Sequence, residues 1–242
     1  MSSNTFSWCG YNWRCDMNGR IIHPDQPWMW YGPDEIKLTD NNIIELGLKY
    51  NPKKITYNDK DYKPKYETSV IRSVEDFSYG EFSCEIKLPQ GVGLWPSFWL
   101  TGSGNWPPEI DIMEAWSRNS NYYVFPLSRR ITNNIHYNDD NLNHCNVGSK
   151  NQCIFDVPKN PIHNFIEYKC IWSRDSIEFF VNGKSVHKIT GYECHELTDN
   201  LKNPKKGFKM NVVFDLWIDN PIDYKIKLDS PLLIKNFTYQ PN

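Results

Sequence analysis

"PPEIDIMEAW", Pro107 to Trp116, is the stretch on which the fold turns. Ile110, Ile112 and Met113 are apolar, and the segment reads as a strand. Three carboxylates interrupt it, Glu109, Asp111 and Glu114. Isolated acids are costly to bury. Side chains alternate along a strand, so Glu109 and Asp111 share a face while Glu114 should point the other way. One extra residue between 111 and 114, a β-bulge, resets the alternation. Glu114 then joins the other two acids, and Ile110 and Ile112 turn to the core. The spacing predicts a bulged strand with one acidic face.

Short β-type runs recur on both sides of this segment. They are "YETSVIRS" (66–73), "GEFSCEIKLP" (80–89), "WPSFWLT" (95–101), "ITNNIHY" (131–137), "FIEYKCIWS" (165–173), "SIEFFVNG" (176–183), "FKMNVVFDLWI" (208–218) and "LLIKNFTY" (232–239). "EFSCEIKL" alternates as a half-buried strand does, whereas "MNVVFDLWI" is continuously apolar, as a strand covered on both faces would be. Turn residues separate the runs at "YGPD" (31–34), "PQGVG" (89–93), "TGSGNWPP" (101–108) and "VNGK" (181–184). Asn182-Gly183 between two such runs is a hairpin signal. Apolar residues at helical spacing persist over no long window. The pattern predicts an all-β sandwich in a single domain, residues 1–242. The longest loop-like segment is 138–164.

Composition narrows the partners. Net charge is −2 with a pI near 6.3, which gives no electrostatic case for nucleic acid or an anionic membrane. No run approaches the ~20 apolar residues of a membrane span. The start, "MSSNTFSWCG", has neither a basic n-region nor an apolar h-region. This fits a protein kept inside its cell or one whose signal has been removed. Aromatics reach 15% with ten Trp; core filling takes more than half of these rings and leaves others as flat binding platforms. The seven cysteines are an odd number. Cys9/Cys15 and Cys145/Cys153 could close short disulfide loops in an exported protein. Cys84 and Cys170 sit in strands and read as buried small hydrophobes. His144, Cys145, Cys153 and His163 suggest metal, but their spacing fits no common zinc pattern.

Three acids crowded on one face cannot all ionise freely, so one pKa rises while another stays low. That split suits double displacement at a glycosidic bond, with nucleophile and acid about 5–5.5 Å apart. A solvated acidic face or a calcium site would share the pattern. The flanks favour sugar: "GLWPSFWL" precedes the acids, "NWPP" abuts them and Trp116 follows. Alternation places Trp95, Ser97 and Trp99 on one face and Phe98 on the other.

"GLWPSFWL…WPPEIDIMEAW" resembles the signature of glycoside hydrolase family 16, laminarinase-like enzymes with a bulged E-x-D-x-x-E motif. "TSVIRSVEDFSYGEFSCEIKLPQGVGLWPSFWL" (68–100) and "HNFIEYKCIWSRDSIEFFVNGK" (163–184) are similar to its approach strands and later hairpin. The resemblance covers roughly residues 30–240. It implies a β-jelly-roll sandwich, concanavalin A-like, with a concave cleft. It also implies Glu109 as nucleophile, Glu114 as acid/base, Asp111 between them and His136 beside them. Trp95, Trp99, Trp106 and Trp116 would line the cleft, Trp106 and Trp95 foremost, and Arg72 would face it.

Two departures stand out. Only Pro108 separates the Trp-Pro pair from Glu109, so the turn before the strand is short. Lys235 stands where many members place a calcium-binding Asp, which argues against that metal; no cofactor or metal is expected. The implied activity is an endo-acting retaining β-glycosidase on β-1,3- or mixed-linkage β-1,3-1,4-glucan, acting as a monomer on a polysaccharide. Alternatives are a galactan hydrolase (agar, porphyran, carrageenan), a non-catalytic carbohydrate-binding module, and a transglycosylase. Arg129 and Arg130 could hold a sulfate, but read better as a solvated pair.

Overall fold

The computed structural model describes residues 5–15, 28–57, 59–91, 93–102, 106–115, 130–147, 153–191, 209–219 and 227–242, with backbone alone for Tyr57, Arg130 and Cys153–Asp156. The described residues form strands and no helix, so none is long and apolar enough to cross a membrane. The largest sheet runs β1 (Thr5–Trp8), β2 (Tyr11–Cys15), β10 (Val70–Ser73), β20 (Met210–Ile218), β12 (Leu94–Gly102), β13 (Glu109–Glu114), β14 (Arg130–Asn138) and β15 (His144–Asn146). β16 (Cys153–Asp156) also pairs with β14. A second sheet runs β19 (Lys184–Thr190), β18 (Ser176–Val181), β17 (Ile166–Trp172), β11 (Gly80–Lys87), β21 (Leu232–Pro241), β5 (Ile44–Leu46) and β4 (Ile36–Leu38). Two small sheets complete the set: β3 (Met29–Tyr31), β9 (Tyr66–Thr68) and β6 (Leu48–Tyr50), and the hairpin of β7 (Ile55–Tyr57) and β8 (Lys60–Tyr62).

The two large sheets face each other across one core. Strand alternation supplies it. β11 turns Phe82, Cys84 and Ile86 inward, and β17 adds Ile166, Tyr168, Cys170 and Trp172. The opposing sheet contributes Trp13, Ile71, Phe98, Ile110, Ile112 and Phe214. Phe98 stacks on Phe214 with centroids 4.6 Å apart, and Phe214 meets the edge of Phe237. Burying rings of this size is the main favourable term of such a core.

All nine residues of β20 are buried, as its largely apolar sequence predicts. Val212 and Phe214 join the core between the sheets. Val213 and Trp217 face a second apolar cluster with Met29, Tyr31, Leu48 and Tyr66. The small sheet of β3, β9 and β6 therefore packs on the outer face of the largest sheet, over β10 and β20. Backbone ties fix it there: Leu216 N donates to Ser69 O at 3.1 Å, and the Thr68 hydroxyl donates to Leu216 O.

The runs read as strands are strands, within a few residues at each end. Asn182 and Gly183 take φ of 46° and 75° between Val181 and Lys184, which pair; this is the left-handed geometry a two-residue hairpin requires. The segment 138–164 differs from its loop reading, because β15 and β16 lie within it. Both are short strands docked on β14, and "HCN" has no apolar alternation to announce one.

The disulfide expectations fail where they can be judged. Cys9, Cys15, Cys84, Cys145 and Cys170 are in no disulfide. Cys9 sits in the turn of the β1–β2 hairpin, while Cys15 lies at its open end opposite Ile71. Cys145 is opposite Tyr137 and Cys153 opposite Asn133; four residues of β14 separate them by ~13 Å, beyond disulfide reach. Cys84 and Cys170 are fully buried, as expected of small core residues.

Truncating Phe98, which stacks between the sheets, tests the core. Phe98→Ala should lower the unfolding free energy by about 3–5 kcal/mol, measured by chemical denaturation.

Candidate active site

The bulge lies where the acid spacing requires it. Along β14, Asp111 pairs with Asn134 and Glu114 with Thr132, three steps on β13 against two on its neighbour. Along β12, Asp111 pairs with Trp99 and Met113 with the next residue, Phe98, so Ile112 is passed over. Glu109, Asp111 and Glu114 thus come to one face, the outer face of the largest sheet. Ile110, Ile112 and Met113 are buried in the inter-sheet core.

Neighbouring strands place partners beside each acid. Trp95 on β12 donates its indole N–H to Glu114 Oε1 at 3.0 Å. Trp106, from the turn before β13, donates to Glu109 Oε2 at 3.0 Å. That turn is short but sufficient: Gly102 N bonds Pro108 O at 2.9 Å, which brings Trp106 back over the first acid. Trp106 remains 53% exposed. His136 on β14 is directly opposite Glu109. Its Nε2 lies 3.2 Å from Asp111 Oδ2 and 3.6 Å from Glu109 Oε1. The same nitrogen faces Asn134 Nδ2 at 3.1 Å, so it serves Asp111 as a donor or Asn134 as an acceptor according to tautomer. Its Nδ1 meets His144 Nε2 at 2.8 Å, and the two imidazoles stack at 5.1 Å.

Two further residues complete the arrangement. Asp215 on β20 accepts the Trp99 indole N–H on Oδ1 at 3.1 Å and the Tyr31 hydroxyl on Oδ2 at 2.5 Å. It lies in the same row of the sheet as Glu114, with Ser97 between them.

Burial and neighbouring charges shift Glu109, Glu114 and Asp215 on this partly covered face. Burial pushes Glu109 well above the ordinary carboxylate range, and the charge of Asp111 adds to this, while the Trp106 N–H pulls back. Glu114 is likewise pushed well up by burial, then by Asp111 and Glu109, against the Trp95 N–H. Asp215 is pushed up to about 6 by burial, against its bonds from Tyr31 and Trp99. Burial and the neighbouring His136 lower His144. A face of this kind keeps one carboxyl protonated at a pH where another is charged.

The sequence-expected residues divide accordingly. Glu109, Asp111, Glu114, His136, Trp95 and Trp106 come together. Trp99 is on the same face and binds Asp215 rather than the central acids. Arg72 is on that face but three ladder steps from Asp111, through Val213 and Trp99, or ~14 Å. Trp116 and Arg129 lie outside the described residues, as does the side chain of Arg130. Among the described residues one group, Glu109, Asp111 and His136, brings three potential ligand atoms within 4.8 Å of one another, and these are the residues of the acidic face itself. Lys235, in the last strand, pairs with Glu85 at 3.1 Å and lies over the Phe165 ring.

Asp215, Tyr31 and His144 join the site without having been expected from the sequence. Asp215 carries the same signal as 109–114: a lone acid in the apolar run "NVVFDLWI". Nothing local marks Tyr31, whose role depends on a sheet folded over from elsewhere in the chain. His144 is set by the pairing of a short edge strand.

The chain as a whole has relatives. The sequence model of glycosyl hydrolases family 16 matches residues 25–224. The chain belongs to that family. It is 26% identical over 212 residues to glucan endo-1,3-beta-glucosidase A1 of Niallia circulans, across 81% of this chain and 29% of that protein. It is 42% identical over 128 residues to a beta-glucanase of Rhodothermus marinus, across 50% of this chain and 41% of that protein. The chain thus spans less than half the length of either relative. Its fold matches the catalytic domain of an endo-1,3-beta-glucanase (laminarinase) from Thermotoga petrophila RKU-1 with a TM-score of 0.68, at 15% identity, covering 98% of this chain and 94% of that one.

The shifted acids predict how stability follows pH. Asp215 has a folded pKa raised from 3.8 to about 6. Its favourable contribution is complete below the unfolded value and is lost as pH rises through the folded one. About two pKa units correspond to ~3 kcal/mol. Wild type should therefore lose that amount relative to Asp215→Asn between pH 3.5 and pH 7.5, in denaturant titrations of both proteins.

Proposed function

We propose that this chain is an endo-acting retaining β-glycosidase that hydrolyses β-1,3- or mixed-linkage β-1,3-1,4-glucan. The observation that carries this reading is the bulged strand, which turns Glu109 and Glu114 to one face with Asp111 between them. Each glutamate is held by an indole N–H from a different segment. Glu109 is the nucleophile. It attacks the anomeric carbon while Glu114, kept protonated by burial and by its charged neighbours, gives its proton to the leaving oxygen. The resulting glycosyl ester on Glu109 is released by water, whose proton goes to Glu114. Asp111 and His136 hold Glu109 and adjust its charge through the cycle. Trp106, more than half exposed beside Glu109, offers its indole face to a sugar ring, and Trp95 orients Glu114. No metal or cofactor enters these steps, and a single chain carries every group.

The glucan substrate is supported by the Niallia circulans and Rhodothermus marinus relatives, which act on 1,3-β-glucan or β-glucan by their names. A non-catalytic sugar-binding module fits less well. Such a module has no use for two buried glutamates whose protonation is costly to control.

Two outcomes test the proposal. Glu109→Gln and Glu114→Gln should each lower kcat on soluble β-1,3-glucan by at least about 100-fold while the fold is kept. With an aryl glycoside whose leaving group needs no proton, Glu114→Gln should recover the first step, seen as a burst of aryl release, while release of the glycosyl ester stays slow; Glu109→Gln should recover neither. Full activity in either variant on the polysaccharide would sink the assignment. Product sizing should show intermediate oligosaccharides early in the reaction, as internal cleavage requires.

The pH profile of kcat/KM should be bell-shaped. Glu109 must be charged, giving the acid limb, and Glu114 must be protonated, giving the alkaline limb. Because burial raises both, the bell should sit above the ordinary carboxylate range. An alkaline limb that sets in below pH 5 would contradict the roles given to the two glutamates.

A further inference from the structure

We infer that Asp215 is a positioning residue of this site: it fixes Trp99 and Tyr31 as one wall beside the acids and, as a further negative charge beside Glu109 and Asp111, helps to hold the proton on Glu114. The inference rests on the acid/base reading of Glu114.

Asp215 interrupts a strand whose other residues are almost wholly apolar, and only 7% of it is exposed. The strand does not need it. β20 is paired along its length with β12 and at its centre with β10, and it is packed on both faces. An apolar side chain at this position would cost less to bury. The carboxylate instead binds outward, and its two oxygens are used by donors from two different elements. Trp99 on β12 reaches Oδ1 at 3.1 Å, and Tyr31 on β3 reaches Oδ2 at 2.5 Å. Tyr31 comes from the small sheet that covers β20. That sheet is held separately: buried Glu67 takes Lys49 at 3.2 Å and the Asn51 amide at 2.7 Å. Gly32, next to Tyr31, has no Cβ because Glu67 occupies that space. Asp215 thus adds a carboxylate link, beside the Ser69 and Thr68 ties to Leu216, between the covering sheet and the strands that carry the acids.

Its surroundings set the sign of its effect. β10 places Val70 opposite Asp215 and Arg72 opposite Val213, one position further along that face. β12 presents Ser97 and Trp99, and β3 presents Tyr31. β13 contributes Glu109, Asp111 and Glu114, and the charge of Asp215 raises both glutamates. Asp215 and Glu114 are two ladder steps apart through Ser97, ~10 Å. At that distance, in an effective dielectric of about 20, one negative charge moves a neighbour's titration by about one pH unit. The shift is upward, towards a protonated Glu114. The Trp99 and Tyr31 bonds keep Asp215 charged so that it can act this way.

The direct test is a titration of the Glu114 carboxyl in the free protein, by carbon NMR, with Glu114→Gln identifying the signal. In Asp215→Asn, Glu114 should titrate about one pH unit lower than in wild type. The alkaline limb of kcat/KM on soluble β-1,3-glucan should move down with it. Tyr31→Phe, which removes one donor and lets Asp215 keep its proton to higher pH, should move both in the same direction by less. Trp99→Phe should raise KM more than it lowers kcat. If Asp215→Asn folds natively and only its melting temperature changes, with the Glu114 titration and the alkaline limb unmoved, Asp215 is structural and the inference is wrong. If Asp215→Asn does not fold, Tyr31→Phe decides between the two roles by the same readouts. A wild type inactive on β-glucans would end the β-glucanase reading, whereas the titration would still decide whether Asp215 controls Glu114.

Discussion

One extra residue in a strand organises this molecule. Without the bulge at Ile112, strand alternation would send Glu114 into the core between the sheets and leave an apolar side chain facing outward. Neither is tolerable: an ionisable group would be stranded among Phe98, Phe214 and Ile135, and apolar surface would be lost from the core. The bulge satisfies both faces at once. Its irregularity is confined to one residue, because β12 and β14 resume regular pairing on either side of it. A β-ladder absorbs such an insertion only when both neighbouring strands accept the same offset, and the sequence on both sides provides it.

Once the acids share a face, the remaining problem is electrostatic. Four carboxyls on a half-covered surface repel one another, and burial removes the water that would screen them. Donors aimed at individual oxygens make the arrangement tenable. Trp95 serves Glu114, Trp106 serves Glu109, and Trp99 with Tyr31 serves Asp215. Three of these four donors are indoles, and an indole N–H can only donate. Such a group favours the charged form of whatever it binds but cannot itself give up a proton here. The tryptophan content that reads as surplus core filling is in part this donor set, while Trp8, Trp13 and Trp172 fill the core.

The fold and the acids were legible because they leave periodic or costly marks in the chain. β11 alternates, β20 is largely apolar, Asn182-Gly183 admits only a tight hairpin, and the 109–114 spacing has one economical solution. What escaped the sequence was set by contacts between distant segments. β15 is short and polar and β16 only four residues long, so both pass for loop, and the register of β15 against β14 is what brings His144 to His136. Tyr31 and Asp215 are 184 residues apart, and no local pattern in either predicts that a three-stranded sheet will close over β20. The two suggested disulfides fail for a related reason: closeness in sequence is not closeness in space, and the extended strands between each pair keep their cysteines apart.

The covering sheet explains why the acidic face is asymmetric. On the β20 side, Met29, Tyr31 and Trp217 exclude water, and the acid there, Asp215, is buried. On the β14 side the cover is absent among the described residues, and Trp106 and His144 remain open to solvent. A ligand lying across β13 would therefore meet a fixed, dry wall on one side and an exposed aromatic ledge on the other. The field from the dry side is strong because it is poorly screened, and the open side leaves room for entry and exit. Such a site loses stability when its acids ionise, since each raised pKa measures a native state that prefers the proton. The broad aromatic core between the two large sheets offsets that loss, and it does so from the opposite face of the same strands that carry the acids.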